Sequence, residues 1–318
     1  MASIHDFEDI RYYADGAFST IYRCRPVASS ALAKSHLEVA LKVSNPGTSR
    51  PPHSPIRERR LLRTLRHKSV IPILSAFYDE SDLVVVMPFL PLCLVPTVVN
   101  DPLARVSIVK DITSAIAYLH DQGIIHRDIK PQNILLDSES GPGYLSDFGT
   151  AWTPEQATFA NEDIEDSEPF KDYYHRMQEP MHSKVTDVGT GYYRAPELLF
   201  GYPEYSNSVD LWSWGCVIAE LWNGEPVFDD KIAESSEISL ANAIFQKLGT
   251  PTVQSWPEAE RFPAFAYINF INYPAQSFHT LVPAAPPEVI EVLQNLLRYE
   301  SQNRLPARQV LDMRIFSK

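Results

Sequence analysis

The residues best suited to chemistry lie in two short motifs near the middle of the chain, HRDIKPQN at 126–133 and DFG at 147–149. Together they supply a carboxylate, an ammonium group and a carboxamide, followed by a second carboxylate. Such side chains can accept a proton, neutralise a highly charged anion and provide oxygen ligands for a hard cation. The HRDxKxxN pattern arises by chance on the order of once in ten thousand chains of this length, so it is the strongest signal in the sequence.

Other motifs surround these two in the order found in protein kinases. They are Lys42 in VALK, Glu58 on the next predicted helix, APE at 195–197, Asp210 in DLWSWG and Arg304 near the end. The ordered set covers nearly the whole chain. The sequence therefore resembles the eukaryotic protein kinases.

The resemblance implies a bilobal fold of the α+β class. A small, β-rich N-lobe with one regulatory helix is expected at 1–90, where ATP would bind. A larger, mainly α-helical C-lobe is expected at 91–318, with the catalytic loop, the activation segment and the substrate site. The implied reaction is the transfer of the ATP γ-phosphoryl group to Ser or Thr of a protein.

The same resemblance gives each residue of the two motifs an expected role. Asp128 would orient the substrate hydroxyl and accept its proton, and Lys130 would steady the γ-phosphate. Asn133 and Asp147 would supply oxygen ligands for Mg²⁺. Phosphoryl transfer requires charge neutralisation and alignment more than covalent work by the protein, which explains these residue types. Lys130 also matches the pattern of serine/threonine-specific kinases.

The N-terminal region is predicted to form strands and one helix. In EVALKV, strand geometry puts Ala40 and Lys42 on the same face. Ser54 and Pro55 suit an N-cap and a first helical position. The helix that they begin carries Glu58 on its apolar, inward stripe, where a carboxylate needs a cation. By the resemblance that cation is Lys42, which would hold the α- and β-phosphates.

The stretch YADGAFSTIY differs from the glycine-rich loop of kinases. Of three glycines in the GxGxxGxV pattern only Gly16 is present, because Ala14 and Ser19 occupy the other positions. If those two residues had to adopt positive φ angles, each would cost about 1 to 2 kcal/mol, or about tenfold in affinity. Loss of a preorganised catalytic group typically costs about 10²- to 10³-fold in rate, and those groups are all present. We therefore expect weaker or altered ATP binding rather than loss of activity.

Further positions of the nucleotide pocket are matched to the kinase pattern one at a time. Met87 matches the gatekeeper, and Pro88 to Leu90 match the hinge. Proline has no N–H group, but its carbonyl and the Leu90 amide remain available to adenine. The residues expected to contact the nucleotide are Tyr13, Ala14, Gly16, Ile21, Ala40, Lys42, Met87, Leu90, Leu135 and Asp147.

The rest of the chain is mainly helical in pattern. Asp101 with Pro102 and then Gly123 suit the two ends of one helix, and 207–224 forms another. The apolar stretch 83–99 is at the lower edge of membrane-spanning length. Prolines interrupt it, so a buried strand followed by an irregular connector is favoured over a membrane span.

Composition argues against several classes of function. A net charge of -12 and a pI near 5.2 disfavour broad binding to nucleic acids or anionic membranes, which needs a basic surface. The three cysteines are widely spaced, so neither a disulfide framework nor a zinc site is expected. The first residues lack an apolar signal region. A reducing location, the cytoplasm or the nucleus, fits best.

Several motifs resemble those of the cyclin-dependent kinases. PHSPIRE at 52–58 is similar to their PSTAIRE segment, so a cyclin is a candidate partner at this helix. At the position of their phosphorylated Thr this chain has Val185, with Thr186 and Ser183 as neighbours for a shifted site. Together with the reduced glycine loop, this resembles the single-chain fungal kinases that phosphorylate cyclin-dependent kinases. A cyclin-dependent kinase is therefore the leading candidate for the protein substrate.

Two features of the activation segment leave alternatives open. In related kinases the residue at Arg127 pairs with a phosphate, and here it could pair instead with an acid from the long polar stretch after Gly149. The alternative is that this stretch is a solvated loop. Gly189 and Arg194 raise the question of a preference for proline after the target residue, because Gly adopts a left-handed conformation easily. The acidic residues of the polar stretch are Glu162, Asp163, Glu165, Asp166 and Glu168.

Two further alternatives concern partners. The basic residues of the first helix are interpreted as a solvated outer face, with a surface for an acidic protein or a cyclin as the alternative. The departures in the loop and hinge also allow a pseudokinase scaffold that binds partner proteins with little or no turnover. The basic residues are Arg57, Arg59, Arg60, Arg63, Arg66 and Lys68.

Overall fold

A five-stranded antiparallel sheet forms the N-terminal part of the molecule, with strand order β1-β2-β3-β5-β4. The computed structural model describes residues 2–154, 179–229, 236–262 and 264–316. The strands are β1 Phe7–Gly16, β2 Ser19–Pro26, β3 Val39–Ser44, β4 Ser75–Asp79 and β5 Asp82–Pro88, and helix α1 is Pro55–Thr64.

Strand β3 lies in the centre of this sheet and sets the position of the predicted lysine. Lys42 pairs with Ile21 of β2 and with Val85 of β5. Ala40 and Lys42 both line the cleft below the sheet, as their shared face predicts. Val39 and Leu41 point the other way, into a small apolar core.

Helix α1 begins as the sequence predicts. The hydroxyl of Ser54 accepts a hydrogen bond from the Arg57 N–H group (3.2 Å), and Pro55 is the first helical residue. Glu58 is buried on the same stripe as the apolar residues Leu61 and Leu62. The predicted inward orientation of this carboxylate is confirmed.

The remainder of the chain is mainly helical, and the α+β fold class is confirmed. Asp101 accepts hydrogen bonds from the first turn of α2, and the chain leaves that helix through Gly123 at φ +72°. A second, three-stranded sheet has the order β6-β7-β8. The elements are β6 Leu92–Cys93, α2 Pro102–Asp121, β7 Ile134–Leu136, β8 Gly143–Leu145, α3 Pro196–Leu199, α4 Ser208–Asn223, α5 Glu237–Leu248, α6 Phe278–Leu281, α7 Pro287–Leu296 and α8 Ala307–Val310.

The apolar stretch 83–99 begins as strand β5 inside the sheet and continues through the short strand β6. The buried strand favoured by the sequence is therefore present. Among the residues described, none of the helices is both long and apolar enough to cross a membrane.

Two apolar cores stabilise the fold. The smaller one lies on the outer face of the five-stranded sheet. The larger one joins α1, the inner face of the sheet and the helices of the C-terminal part. Because this larger core extends across residue 90, the lobe boundary predicted there stays a prediction.

The prediction of a solvated outer face on α1 is wrong for three of its arginines. Arg57, Arg59 and Arg60 are 5 to 7% exposed. The guanidinium of Arg57 donates to the carbonyl of Ala151 (2.9 Å), and that of Arg59 lies 5.9 Å from the ring centre of Tyr78. The arginines further along the helix and beyond it, together with Lys68, are exposed, as expected.

A buried ion pair fixes the end of the activation segment to the C-terminal region. Both carboxylate oxygens of Glu197 accept hydrogen bonds from the guanidinium of Arg304 (2.6 and 2.8 Å). The guanidinium also donates to the carbonyl of Ser208 and lies over the ring of Trp212. Both charged side chains are at most 1% exposed, so the charge of each must be compensated by the other.

Substitution of Glu197 by Ala should lower the free energy of unfolding by about 3–5 kcal/mol, because it leaves a buried guanidinium without its carboxylate. The measurement is urea denaturation at neutral pH. The matched control is Glu291→Ala, which breaks the exposed pair with Arg314 and should cost at most about 1 kcal/mol. Equal losses in the two variants would contradict the expectation.

Candidate active site

A cleft of about 960 Å³ lies below the five-stranded sheet, a volume that suits a nucleotide-sized ligand. Every residue that the sequence predicts for catalysis, nucleotide contact or metal binding lines it. The lining residues include Tyr13, Ala14, Gly16, Ile21, Ala40, Lys42, Glu58, Met87, Leu90, Asp128, Lys130, Asn133, Leu135 and Asp147. Residues far apart in the chain are therefore brought to one place.

Lys42 lies between two carboxylates. Its Nζ atom is 2.7 Å from Glu58 Oε1 on α1 and 2.7 Å from Asp147 Oδ1 of the DFG motif. Burial would lower the pKa of the lysine, but Asp147 and Glu58 outweigh burial and raise it, so the ammonium stays charged. Asp147 remains partly open to the cleft; desolvation would raise its pKa, but Lys42 outweighs this effect and holds the pKa well below its usual value. Burial raises the pKa of Glu58 against the opposing effect of Lys42.

Three polar side chains surround the carboxylate of Asp128. Thr190 Oγ1 donates to Asp128 Oδ1 (2.7 Å), and Asn133 Nδ2 donates to Asp128 Oδ2 (3.0 Å). Lys130 Nζ lies 2.9 Å from the same Oδ2 atom and donates to Thr190 Oγ1 (2.8 Å). The carboxylate is therefore held in a fixed direction beside a cation.

The backbone before Asp128 is held by a buried carboxylate from α4. Asp210 accepts hydrogen bonds from the N–H groups of His126 and Arg127 (both 2.8 Å) and lies 3.0 Å from His120 Nε2. Arg127 has a φ angle of +71°, which is unfavourable for a residue with a side chain. The two bonds from Asp210 offset this strain next to the predicted catalytic residue.

The residues predicted to hold Mg²⁺ have a donor set that suits it. Asn133 uses its amide nitrogen for the bonds to Asp128, which leaves its amide oxygen for another partner. Asp147 gives one oxygen to Lys42, and its side chain is 45% exposed to the cleft. Amide and carboxylate oxygens are hard ligands, and Mg²⁺ sites usually complete their coordination with substrate phosphates and water.

The hinge departs from the kinase pattern without blocking the cleft. Met87 of β5 pairs with Ala40 of β3, and it is buried. Pro88 and Leu90 also line the cleft. Leu135 lies on β7, opposite Cys93 of β6. These positions form an apolar space next to the hinge, and adenine binding there stays a prediction.

The roof of the cleft is formed without the missing glycines. Neither Ala14 nor Ser19 has a positive φ angle, so the strain considered for them is absent. Instead, aromatic contacts hold the two ends of the loop. Phe18 packs against His53, with ring centres 4.7 Å apart, and Tyr13 packs edge-on against Phe89 at 5.0 Å. The Tyr13 hydroxyl also donates to the carbonyl of Pro91 (3.2 Å).

Arg127 pairs with an acid from the polar stretch after Gly149, as one of the two alternatives predicted. Its guanidinium donates to both carboxylate oxygens of Glu179 (2.6 and 2.8 Å). The acidic cluster at 162–168, which the sequence singled out, lies outside the described residues. The residue that makes the contact is therefore further along the chain than that cluster.

Gly189 adopts the left-handed conformation that its type allows, with φ +78°. A Cβ atom at this position would lie 3.1 Å from the Arg194 side chain. The guanidinium of Arg194 donates to the carbonyl of Thr186 (3.3 Å) and to Glu237 (2.8 Å). The question of a proline preference stays open.

Sequence reasoning missed four residues of the site. Thr190 belongs to the GTG triplet before APE, and its spacing from that motif was the available signal. Phe18 lies in the stretch that resembles the glycine-rich loop and His53 in the one that resembles PSTAIRE, and neither pattern indicates a contact between the two. Glu179 gave no signal, because it is one acid among many in a polar stretch.

Comparisons with known proteins agree with this geometry. The protein kinase domain family matches residues 7–316. The chain is 33% identical to serine/threonine-protein kinase csk1 of Schizosaccharomyces pombe over 302 residues, which is 92% of this chain and 89% of that protein. It is 32% identical to cyclin-dependent kinase 7 of Xenopus laevis over 323 residues, 98% of this chain and 81% of that protein.

The chain therefore belongs to the protein kinase family. Within it, the chain is a serine/threonine-protein kinase of the cyclin-dependent kinase-like group. Protein kinases use ATP and Mg²⁺. The scaffold alternative is not supported, because the polar residues expected in a working site are all present in the cleft.

Thr190→Ala should lower kcat about tenfold to hundredfold, because hydrogen bonds to charged groups contribute about 1.5–3 kcal/mol and Thr190 bonds both Asp128 and Lys130. The measurement is the initial rate of radiolabelled phosphate transfer to a peptide. Thr190→Ser keeps the hydroxyl and should retain most of the rate. A serine variant as slow as the alanine variant would refute this role of the hydroxyl.

Restoring the two glycines, by Ala14→Gly and Ser19→Gly together, should not improve the affinity for ATP, because neither residue is strained. The double variant should be slightly less stable, by about 0.5–1 kcal/mol per glycine in a strand. Titration calorimetry with ATP and thermal unfolding provide the measurements. An affinity gain of about tenfold would show that the native loop is strained after all.

Proposed function

We propose that this kinase works as a single chain and phosphorylates a Ser or Thr in the activation segment of a cyclin-dependent kinase. The observation that carries the proposal is the pair of ionic contacts of Lys42 with Glu58 and Asp147, formed within one chain. In protein kinases a Lys–Glu pair of this kind and the DFG aspartate must both be in position for activity. In this chain the lysine, the glutamate and the DFG aspartate are in contact.

ATP is the proposed phosphoryl donor, with its adenine against the apolar residues next to the hinge and its phosphates near Lys42. The charged ammonium suits the α- and β-phosphates, since it remains positive when buried. Asn133 and Asp147 would hold Mg²⁺, which neutralises charge on the phosphates. The support is chemical: the open oxygens of these two side chains are the ligand type that Mg²⁺ prefers.

Asp128 and Lys130 are the proposed residues for the transfer itself. The bond between the γ-phosphorus and its bridging oxygen breaks, and a bond from the substrate hydroxyl oxygen forms. The hydroxyl proton passes to the Asp128 carboxylate, and ADP leaves. Lys130, 2.9 Å from that carboxylate, would neutralise the moving phosphoryl group. The hydroxyl of Thr190 forms hydrogen bonds with both side chains and so fixes their positions relative to each other.

The proposal does not require a cyclin. A cyclin at the PHSPIRE helix would serve to place Glu58 inward, and that residue already lies 2.7 Å from Lys42. The burial of Arg57, Arg59 and Arg60 also reduces the basic surface that α1 could offer to an acidic partner. These two observations favour action as a single chain.

The choice of substrate rests on the activation segment of the kinase itself. Val185 stands where cyclin-dependent kinases carry the phosphorylated Thr, so this chain lacks the residue that an activating kinase modifies. That departure fits an enzyme that modifies such kinases rather than one that is modified. A substrate of this kind implies action in the cytoplasm or the nucleus.

The test incubates the purified chain with radiolabelled ATP and either an unphosphorylated cyclin-dependent kinase or a proline-directed peptide. We expect phosphate on the kinase substrate, without added cyclin, and a clear preference for it over the peptide. Asp128→Asn should reduce transfer about 10²- to 10⁴-fold, the usual contribution of a general base. Preference for the peptide would refute the proposed substrate, and transfer equal to that of Asp128→Asn would refute the proposed reaction.

A further inference from the structure

A buried anionic side chain joins the activation segment to the catalytic loop and to α1. Glu179 makes two hydrogen bonds to the guanidinium of Arg127 and lies 3.5 Å from Arg57 Nη1. The three side chains are at most 6% exposed. They come from three segments of the chain, so this contact fixes the segments relative to one another.

The backbone around Glu179 is tied into the same contact. The N–H group of Val185 donates to Glu179 Oε2 (2.9 Å), and the indole N–H of Trp152 donates to the Glu179 carbonyl (3.0 Å). Tyr205 accepts a hydrogen bond from Arg127 (2.9 Å) and donates to the carbonyl of Val185 (2.8 Å). The segment therefore closes on itself around one carboxylate.

Electrostatics keeps this carboxylate ionised. Burial would raise the pKa of Glu179, but the hydrogen bonds and charge of Arg127, helped by the Val185 N–H group and Arg57, hold it below its usual value. Without Glu179 the fully buried guanidinium of Arg127 would lose its carboxylate, which would be strongly unfavourable. Arg127 directly precedes Asp128 and has the strained φ angle of +71°, so its side-chain anchor bears on the position of the catalytic residue.

We propose that Glu179 is a positioning residue that gives this kinase a built-in anion, so that its catalytic loop is held in the working arrangement without modification of the activation segment. The carboxylate occupies the space between the two arginines and uses both of its oxygens there. A phosphate group on a neighbouring hydroxyl would find this site filled. The inference rests on the phosphoryl-transfer reaction proposed for the cleft.

The neighbouring hydroxyls fit this assignment. Ser183 is exposed and Thr186 is partly exposed, and both lie on the segment that Glu179 already holds. Among the described residues, neither hydroxyl forms a hydrogen bond with the guanidinium of Arg127 or of Arg57. The two sites that the sequence offered for a shifted phosphorylation are therefore not needed to satisfy these arginines.

The first test compares Glu179→Gln with a matched control, Glu204→Gln, which removes the same charge from an exposed pair with His182. The substrate is a synthetic Ser/Thr peptide that the wild type phosphorylates. For Glu179→Gln we expect kcat to fall about 10²-fold, the size of effect that a displaced catalytic group produces, with the KM for ATP unchanged. Glu204→Gln should behave as wild type. Equal kcat values for Glu179→Gln and wild type would overturn the inference.

The second test asks whether a free anion replaces the side chain. In Glu179→Ala, acetate or inorganic phosphate should raise kcat, whereas the wild type should not respond. A loss of packing alone would not produce this rescue. Thermal unfolding should first show that the variant is folded. If neither anion then raises its kcat, the inference is overturned.

The third test uses chains that keep Glu179, so it does not depend on the folding of the charge variants. Wild type treated with a broad-specificity phosphatase, and the double variant Ser183→Ala, Thr186→Ala, should both keep full activity. Loss of activity in either would overturn the inference. A wild type that transfers no phosphate to any substrate would instead refute the proposed reaction, so the two failures are distinguishable.

Discussion

The arrangement of the site depends on one requirement: the positive charge of a buried ammonium group must be compensated by nearby carboxylates. Lys42 is 8% exposed, and a charge in that position is unfavourable unless opposite charges surround it. Its two partners, Glu58 and Asp147, come from α1 and from the DFG motif. Strand, helix and motif must therefore approach the same point. The nucleotide cleft lies below the sheet, where these three segments meet.

A second set of buried charges organises the loop that carries Asp128. Asp210 holds the backbone before it through two N–H groups, and Glu179 holds the side chain of Arg127 from the other side. Arg127 and Asp147 both have positive φ angles, at +71° and +62°. Strained residues of this kind persist only where the surrounding contacts determine them strongly. For Arg127 the carboxylates of Asp210 and Glu179 provide those contacts, and the strain lies next to Asp128, the proposed catalytic residue.

The roof of the cleft shows that one structural task can be met by different residues. Glycines give such a loop conformational freedom, but Ala14 and Ser19 are paired between β1 and β2 and neither has a positive φ angle. The contacts of Tyr13 with Phe89 and of Phe18 with His53 hold the loop at its two ends instead. Such aromatic contacts contribute about 0.5–1.5 kcal/mol each beyond the area they bury. A reduced glycine content is therefore compatible with a closed nucleotide cleft.

The sequence by itself determined the kinase class, the residues at the centre of the site and the ends of the main helices. These follow from local chemistry: Ser54 and Asp101 cap helices through their own side chains, and Glu58 lies on an apolar stripe set by helix periodicity. Only the tertiary structure decided that α1 buries Arg59 and Arg60, that Ala14 is unstrained, and that Glu179 meets Arg127 across 52 positions of the chain. Periodicity fixes which side of a helix a residue occupies, but not which distant segment covers that side. Contacts between distant charges depend on the complete packing of the chain, so no local pattern can specify them.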